Sequence, residues 1–409
     1  MNISILVYTG SWGGAQLHTT SLLKTLAGRG HTLTIVELGR DRYAKSLDPY
    51  IDCAQVVPFP GLHGGGRSIG WIEAWRLVRR LPRDVCVLVK SDFEIGNWKL
   101  DWVARFWFKY YITIEHMNPP SMPAKTSRRY LGGLIGGVGL WWFKVFLQRW
   151  ARSLGPHLIV TVSDVIRQSL IAVYRFPSRK ILTMPSGTDT AKFAPNREYR
   201  RRWRAARRIP EGAIIFGAVG RLDEVKGYEI AVEQFILLSR QLPHRDMWLV
   251  LVGEGPLEGK LKSAAAAGEF ADRILFESFT EQPWEVYPAF DLFIMPSRTE
   301  GLPFALLEAM ACGCPPIAME VGTIPYLVTN SLTGWLVAPG DRQGFFAAMM
   351  SAAETAPERL VEIGLTAREK ILTDFQAKPL FARLADLVER CGDRGNAASR
   401  TRLKEAVER

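Results

Sequence analysis

Hydrophobic and polar positions alternate in blocks along this chain. Residues 3–8 form an apolar run that predicts a strand. Residues 10–15 make a glycine-rich turn, and 16–29 place Leu22, Leu23 and Leu26 at helical spacing. Gly30 and His31 end that helix, and 33–38 predicts a second strand. The result is a βαβ unit, whose repetition implies a parallel sheet covered by helices. Further strands are predicted at 85–89, 111–114, 158–162 and 181–184. After an arginine-rich segment a second series begins, with strands at 214–219, 248–252, 274–276, 292–295 and 316–318. Helices such as 228–240 and 257–267 separate them, and 360–391 also reads as helix. The predicted fold class is α/β, with two Rossmann-like domains at 1–186 and 187–371. A C-terminal helix at 372–392 is expected to cross back to the first domain, followed by a polar tail at 393–409.

Ligands of open α/β sheets collect at the carboxyl ends of the strands. In the first domain this selects the turn at 10–15 and the residues after 114. In the second it selects 220–227, 253–256 with Gly253, and the loop at Glu300. A deep cleft between the domains would join the two sets.

Composition adds little to the fold and more to the choice of partner. With 409 residues, 47% of them hydrophobic, the chain has core enough for two domains. Its five cysteines include no CxxC spacing, so neither a disulfide framework nor a zinc site is predicted. The first residues lack a basic segment and a long apolar core, so a cytoplasmic location is expected. The net charge of +11 favours an anionic partner.

The chemistry-bearing residues sit at strand ends. Gly220-Arg221-Leu-Asp-Glu-Val-Lys226-Gly227 follows a strand and precedes a helix. Two cations there suit a diphosphate, which gains charge as its bond breaks. An isolated Arg/Lys pair reads as readily as solvated surface charge. Glu300 and Glu308 flank Pro303, predicted as the first residue of a helix. Glu300 then lies in the strand-to-helix loop, beside backbone N–H groups that suit a phosphate. Glu308 lies about one and a half turns into the helix. The bland alternatives are a helix cap for Glu300 and an exposed helix position for Glu308. Gly13 and Gly14 open the first helix and would let backbone amides approach an anion, although they lack a full GxGxxG fingerprint. His116 follows the strand at 111–114, placed to meet a sugar hydroxyl or to be a structural loop histidine. Ser163 reads as a helix cap, and Cys312 and Cys314 as packing residues.

These residues carry a family resemblance. The chain resembles retaining GT-B glycosyltransferases of the large bacterial family related to glycogen and sucrose synthases. The most specific element is the E-x7-E pattern, Glu300 to Glu308, followed by Ala-Met-Ala-Cys-Gly. Gly220 to Gly227 matches the family's G-R-L-x-x-x-K-G pattern. Val162-Ser163-Asp164 and Pro185-Ser186-Gly187-Thr188-Asp189 resemble its end-of-domain signatures, with Ser186 where the family usually has Asn.

The resemblance implies an NDP-sugar donor held mainly by the second domain. It assigns Arg221 and Lys226 to the diphosphate, Glu308 to the ribose and Glu300 to the donor sugar. Gly14 would lie near the phosphates, and backbone N–H groups around Phe304, Ala305 and Leu306 would meet sugar or phosphate. His116 would stabilise charge at the anomeric carbon. No cofactor and no metal are implied, and transfer would proceed by front-face displacement with retention.

The acceptor is expected to be a glycan or lipid-linked molecule. Trp98, Trp102, Trp107, Trp141, Trp142 and Trp150 lie among basic residues of the first domain. The stretch 131–152 is too short and too basic to span a bilayer, but suits an anionic membrane surface. Packing against the core is the alternative. Residues 197–208 hold seven arginines against Glu198, which raises nucleic-acid binding as a different class of function. No nucleic-acid-binding motif supports it, and no nucleic acid is expected as partner. An NDP-sugar epimerase of the same fold is a further alternative.

Overall fold

The computed structural model describes residues 1–8, 14–38, 53–58, 69–90, 98–116 and 153–393. Gly13, the basic–aromatic stretch 121–152 with Trp141, Trp142 and Trp150, and most of the predicted tail lie outside them. The chain divides into two compact units, residues 1–186 with 379–409, and residues 187–378.

The first unit runs β1 (Asn2–Tyr8), α1 (Gly14–Ala27), β2 (Thr32–Leu38), β3 (Gln55–Pro58), α2 (Trp71–Val78), β4 (Val85–Lys90), α3 (Trp98–Trp107), β5 (Tyr110–Glu115), β6 (Leu158–Thr161), α4 (Asp164–Ala172) and β7 (Ile181–Thr183). Its seven strands lie in the order β3-β2-β1-β4-β5-β6-β7, and neighbours are parallel, as in the β1–β4 pair with Ile3 opposite Val85. β4 and β5 are buried along their whole length. That is why they read as continuous apolar runs rather than alternating ones. β3 escaped the sequence reading because it is four residues long and ends in proline.

The second unit runs α5 (Arg197–Ala206), β8 (Ile214–Val219), α6 (Tyr228–Gln241), β9 (Met247–Val252), α7 (Glu258–Ala266), β10 (Ile274–Glu277), β11 (Leu292–Met295), α8 (Phe304–Ala311), β12 (Pro316–Met319), α9 (Ile324–Leu327), β13 (Trp335–Val337), α10 (Arg342–Glu354) and α11 (Pro357–Asp374). The sheet order is β10-β9-β8-β11-β12-β13. The order reverses between β8 and β11, which pair with Leu292 opposite Phe216. A reversal of this kind opens a crevice at the strands' carboxyl ends.

The predicted continuous helix over 360–391 is two helices. α11 stops at Asp374 and α12 (Ala377–Gly392) begins after Phe375 and Gln376. Pro379 has no N–H to offer the Phe375 carbonyl and so opposes a continuous helix, and the freed groups are met from outside: Thr188 N–H donates to the Phe375 carbonyl at 2.9 Å, and Ala377 N–H to the Thr188 carbonyl at 2.9 Å. Gln376, bridged to Thr188 in the manner of a strand, cannot also be helical. Gly187 is required at the crossing, because a Cβ on it would stand 2.5 Å from the Phe375 oxygen. α12 then packs in the first unit, where Arg29 meets Asp386 at 2.6 Å and Glu389 at 2.9 Å.

Candidate functional site

In the second unit four loops at neighbouring strand ends are laced together. Gly227 caps α6 with φ +66, and a Cβ there would sit 2.3 Å from the Pro296 oxygen. The loop after β8 thus lies directly on the loop after β11, and Arg298 N–H donates to the Val225 carbonyl at 2.8 Å. Gly253, after β9, has φ +144 and would push a Cβ to 2.0 Å from the Gly220 oxygen. After β12, Gly322 packs on the Glu300 carbonyl, and Thr323 donates its hydroxyl to the Gly301 carbonyl at 2.7 Å. These glycines were legible only as loop residues. What they provide is backbone contact where any side chain would hold the loops apart.

This lacing brings Lys226 and Glu300 together across the point where the strand order reverses. Lys226 Nζ lies 2.7 Å from Glu300 Oε1. The Glu300 side chain is only 8% exposed, so its charge needs that partner. Arg221 stands in the same loop as Lys226, 3.7 Å from Asp223.

Glu308 falls in the middle of α8 and is buried. The Tyr287 hydroxyl donates to its Oε2 at 2.8 Å. Burial raises the Glu308 carboxyl to about 7, against the opposing pull of that hydrogen bond and of Lys192. Burial and the neighbouring Glu308 push the Tyr287 phenol up in turn. The alternative of an exposed helix position for Glu308 therefore fails.

Pro303 is the residue before the helix rather than its first: it has φ −77, ψ 105, and α8 starts at Phe304. Extended ψ at Pro303 lets its carbonyl accept from Leu306 and Leu307 N–H. Phe304 and Leu306 turn their side chains into the core, so they can offer a ligand only backbone. Cys312 and Cys314 are buried packing residues; burial pushes both thiols up, Cys314 to about 12.

In the first unit Gly14 begins α1, as the sequence predicts. His116 follows β5 and is buried, and burial holds its ring down to about 3, so the imidazole is neutral. Its backbone N–H donates to the Lys90 carbonyl at 3.2 Å. The end of β5 is fixed further by Lys90, whose ammonium lies 3.2 Å from Asp101 and 3.5 Å from Glu115. Glu115 is therefore part of a buried ion-pair network. The His116 ring stands edge-to-face with His18 at 4.6 Å. His18 was missed by the sequence reading. The signal available was a histidine on the buried face of an amphipathic helix, one turn before Leu22. Ser163 caps α4 as predicted, accepting from Ile166 N–H at 3.3 Å.

Three arginines of the cluster at 197–208 are held within their own unit, whereas Arg197, Arg201, Arg202 and Arg208 stay exposed. Arg204 is buried, donating to the carbonyls of Ala289, Pro210, Glu211 and Ala213 and pairing with Asp291 at 2.6 Å. Arg200 pairs with Asp291 and Arg207 with Glu277.

Comparison with known proteins supplies the family. Residues 199–370 match Glycosyl transferases group 1, and residues 12–192 match Glycosyltransferase Family 4. The chain is 31% identical over 244 residues to the amylovoran biosynthesis glycosyltransferase AmsK of Erwinia amylovora, covering 57% of this chain and 56% of that one. It thus spans little more than half the length of that relative. It is 30% identical over 299 residues to a GDP-mannose-dependent alpha-(1-6)-phosphatidylinositol monomannoside mannosyltransferase of Mycolicibacterium smegmatis, covering 70% of this chain and 76% of that one. Among solved structures, Anabaena HepE in complex with UDP-glucose superposes with a TM-score of 0.73 at 16% identity, over 95% of this chain and 99% of that one. The two parallel sheets, the fold they share with solved glycosyltransferases and the matches along the sequence agree, and the chain belongs to the glycosyl transferases group 1 family, with a GT-B fold.

Proposed function

We propose that this protein transfers a hexosyl group from an NDP-sugar to a hydroxyl of a glycan or lipid-linked acceptor, with retention and without a metal. The observation that carries the reading is the Lys226–Glu300 pair, held where the strand order reverses by four interlocked loops. Lys226 and Arg221 receive the diphosphate. Glu300, buried against Lys226, accepts hydrogen bonds from the donor sugar, and Glu308 from the ribose. Gly14 and the amides at the start of α8 add backbone donors. The acceptor oxygen forms its bond to the anomeric carbon as the bond from that carbon to the diphosphate breaks. The electron pair leaves on the phosphate oxygen, which takes the acceptor's proton. A neutral His116 beside the sugar can hydrogen-bond it without adding positive charge to a centre that is itself becoming positive.

Relatives named for amylovoran biosynthesis and for mannosyl transfer to phosphatidylinositol monomannoside support an acceptor of the glycan or lipid-linked kind. Among the described residues no helix is long and apolar enough to cross a membrane. Trp71, Ile72 and Trp75 of α2 are exposed, with Arg79 stacked 4.6 Å from the Trp75 ring. This supports peripheral attachment to an anionic bilayer from the cytoplasmic side. Flotation with anionic vesicles at low salt checks it, and protein that stays at the bottom of the gradient removes it.

The decisive assay incubates the purified protein with labelled UDP- and GDP-sugars, with and without a hydroxyl acceptor. Label appearing in the acceptor with a retained anomer supports the reading. Interconversion of free donor without transfer points to an epimerase instead. No turnover, and no rise in melting temperature with any nucleoside diphosphate, overturns it.

A further inference from the structure

Three side chains of the first unit that the donor reading does not use, Ser186, His18 and Phe381, form a buried chain of contacts ending on His116. Ser186 Oγ lies 2.6 Å from His18 Nδ1. The His18 ring meets His116 at 4.6 Å with an interplanar angle of 82°, and meets Phe381 of α12 at 5.0 Å. His18 and Ser186 are each 1% exposed. An apolar ring would fill this place with less cost, because among the described residues Nε2 of both histidines is buried without a hydrogen-bond partner.

The short contact points to one arrangement of the protons. An N–H···O bond has its usual length near 2.9–3.0 Å, whereas a hydroxyl donor approaches more closely. The 2.6 Å separation suits a Ser186 hydroxyl donating to His18 Nδ1, the tautomer that the NMR measurement below reads directly. The His18 proton is then on Nε2 and the ring cannot flip without losing its hydrogen bond. Phe381 closes a second side of the same ring. The edge-to-face contact transmits this fixed orientation to His116, whose position along the chain is set separately by its N–H to the Lys90 carbonyl.

We propose that His18, oriented by Ser186, is a positioning residue for His116, holding that imidazole in one rotamer at the end of β5. The proposal rests on the transferase reading for its kinetic consequence and on the geometry alone for its structural one. Burial, and the neighbouring His116, keep His18 neutral as well, so the pair adds no charge beside the sugar. The serine hydroxyl is small and rotates freely, so it can bond Nδ1 without displacing α1.

The test uses His18→Phe, which keeps the ring against Phe381, Ser186→Ala, which removes one oxygen, and the double variant. Melting temperatures establish that each is folded. With the proposal correct, kcat falls about tenfold to a hundredfold in each single variant while the donor KM stays unchanged. The double variant is no worse than His18→Phe, because both act through one ring, and Ser186→Thr, which keeps the hydroxyl, recovers most of the loss. Unchanged kcat in His18→Phe, or losses that multiply in the double variant, overturns the proposal. A second readout needs no activity: long-range proton–nitrogen NMR of the histidine rings. It should show an unprotonated Nδ1 on His18, and the His116 ring signals should shift in Ser186→Ala. If the protein transfers no sugar at all, the function reading fails and this measurement still decides. His116 signals that ignore Ser186→Ala sink the positioning role.

Discussion

Replacing Glu308 by glutamine should change the pH dependence of stability in one direction only. Glu308 is 6% exposed and sits mid-helix among core residues. Burial lifts its carboxyl from the ordinary 4.5 to about 7. At about 1.4 kcal/mol per pH unit, that shift is worth about 3 kcal/mol. The sign follows from the raised value. The folded protein binds the proton more tightly than the unfolded chain, so the contribution is complete below pH 4.5 and is lost as pH rises to about 7. Glutamine keeps the shape and cannot ionise. The unfolding free energy of wild type, relative to Glu308→Gln, should therefore fall by about 3 kcal/mol across that window and stay level above it. Urea unfolding of both proteins at a series of pH values reads this directly. A difference that is constant with pH, or that grows in favour of wild type as pH rises, refutes the buried, protonated carboxyl. A nucleoside diphosphate whose ribose hydrogen-bonds the carboxylate should also raise the melting temperature more at pH 8 than at pH 6, and only in wild type.

Lys226→Ala leaves Glu300 buried without its 2.7 Å partner; kcat/KM for the donor should fall by about a hundredfold or more, and retained turnover would remove Lys226 from the diphosphate site. Gly253→Ala drives a Cβ to 2.0 Å from the Gly220 oxygen at a φ of +144, which should cost about 2 kcal/mol or more in a thermal melt and raise the donor KM. Arg204→Met strips four carbonyls and Asp291 of a buried guanidinium, and a loss of about 3 kcal/mol in urea is expected, with no change in salt-dependent binding to DNA. Exhaustive chelation should leave donor turnover unchanged; activity that returns only with added magnesium or manganese would overturn the metal-free mechanism.

Much of the fold was legible because parallel strands buried on both faces are continuous apolar runs, separated by helices with one apolar face. The strands at 214–219 and 292–295 were read to the residue for that reason. β13 was not, since three residues, Trp335–Val337, give no pattern to read. The candidate site was legible in part. Arg221, Lys226, Glu300 and Glu308 stood out through the G-R-L-x-x-x-K-G and E-x7-E patterns, since charge alone at these places also suits solvated surface or helix capping. Their pairing did not, because Lys226 and Glu300 are 74 residues apart and meet only where β8 and β11 become neighbours.

The sequence by itself determined the two α/β series and the kinds of side chain at their strand ends, because local pattern is enough to specify element type and order. Tertiary structure decided three things. It set the geometry of the break at Phe375 and Gln376 through the pairing with Thr188, although Pro379, which has no N–H for the Phe375 carbonyl, already opposes a continuous helix there. It turned Arg200 and Arg204 of α5 inward, to carbonyls and carboxylates that arrive from loops up to 91 residues away. It placed His18 against His116, from the first helix and the fifth strand. Each of these depends on contacts distant in sequence, whose free energy exists only after the sheet order has been set.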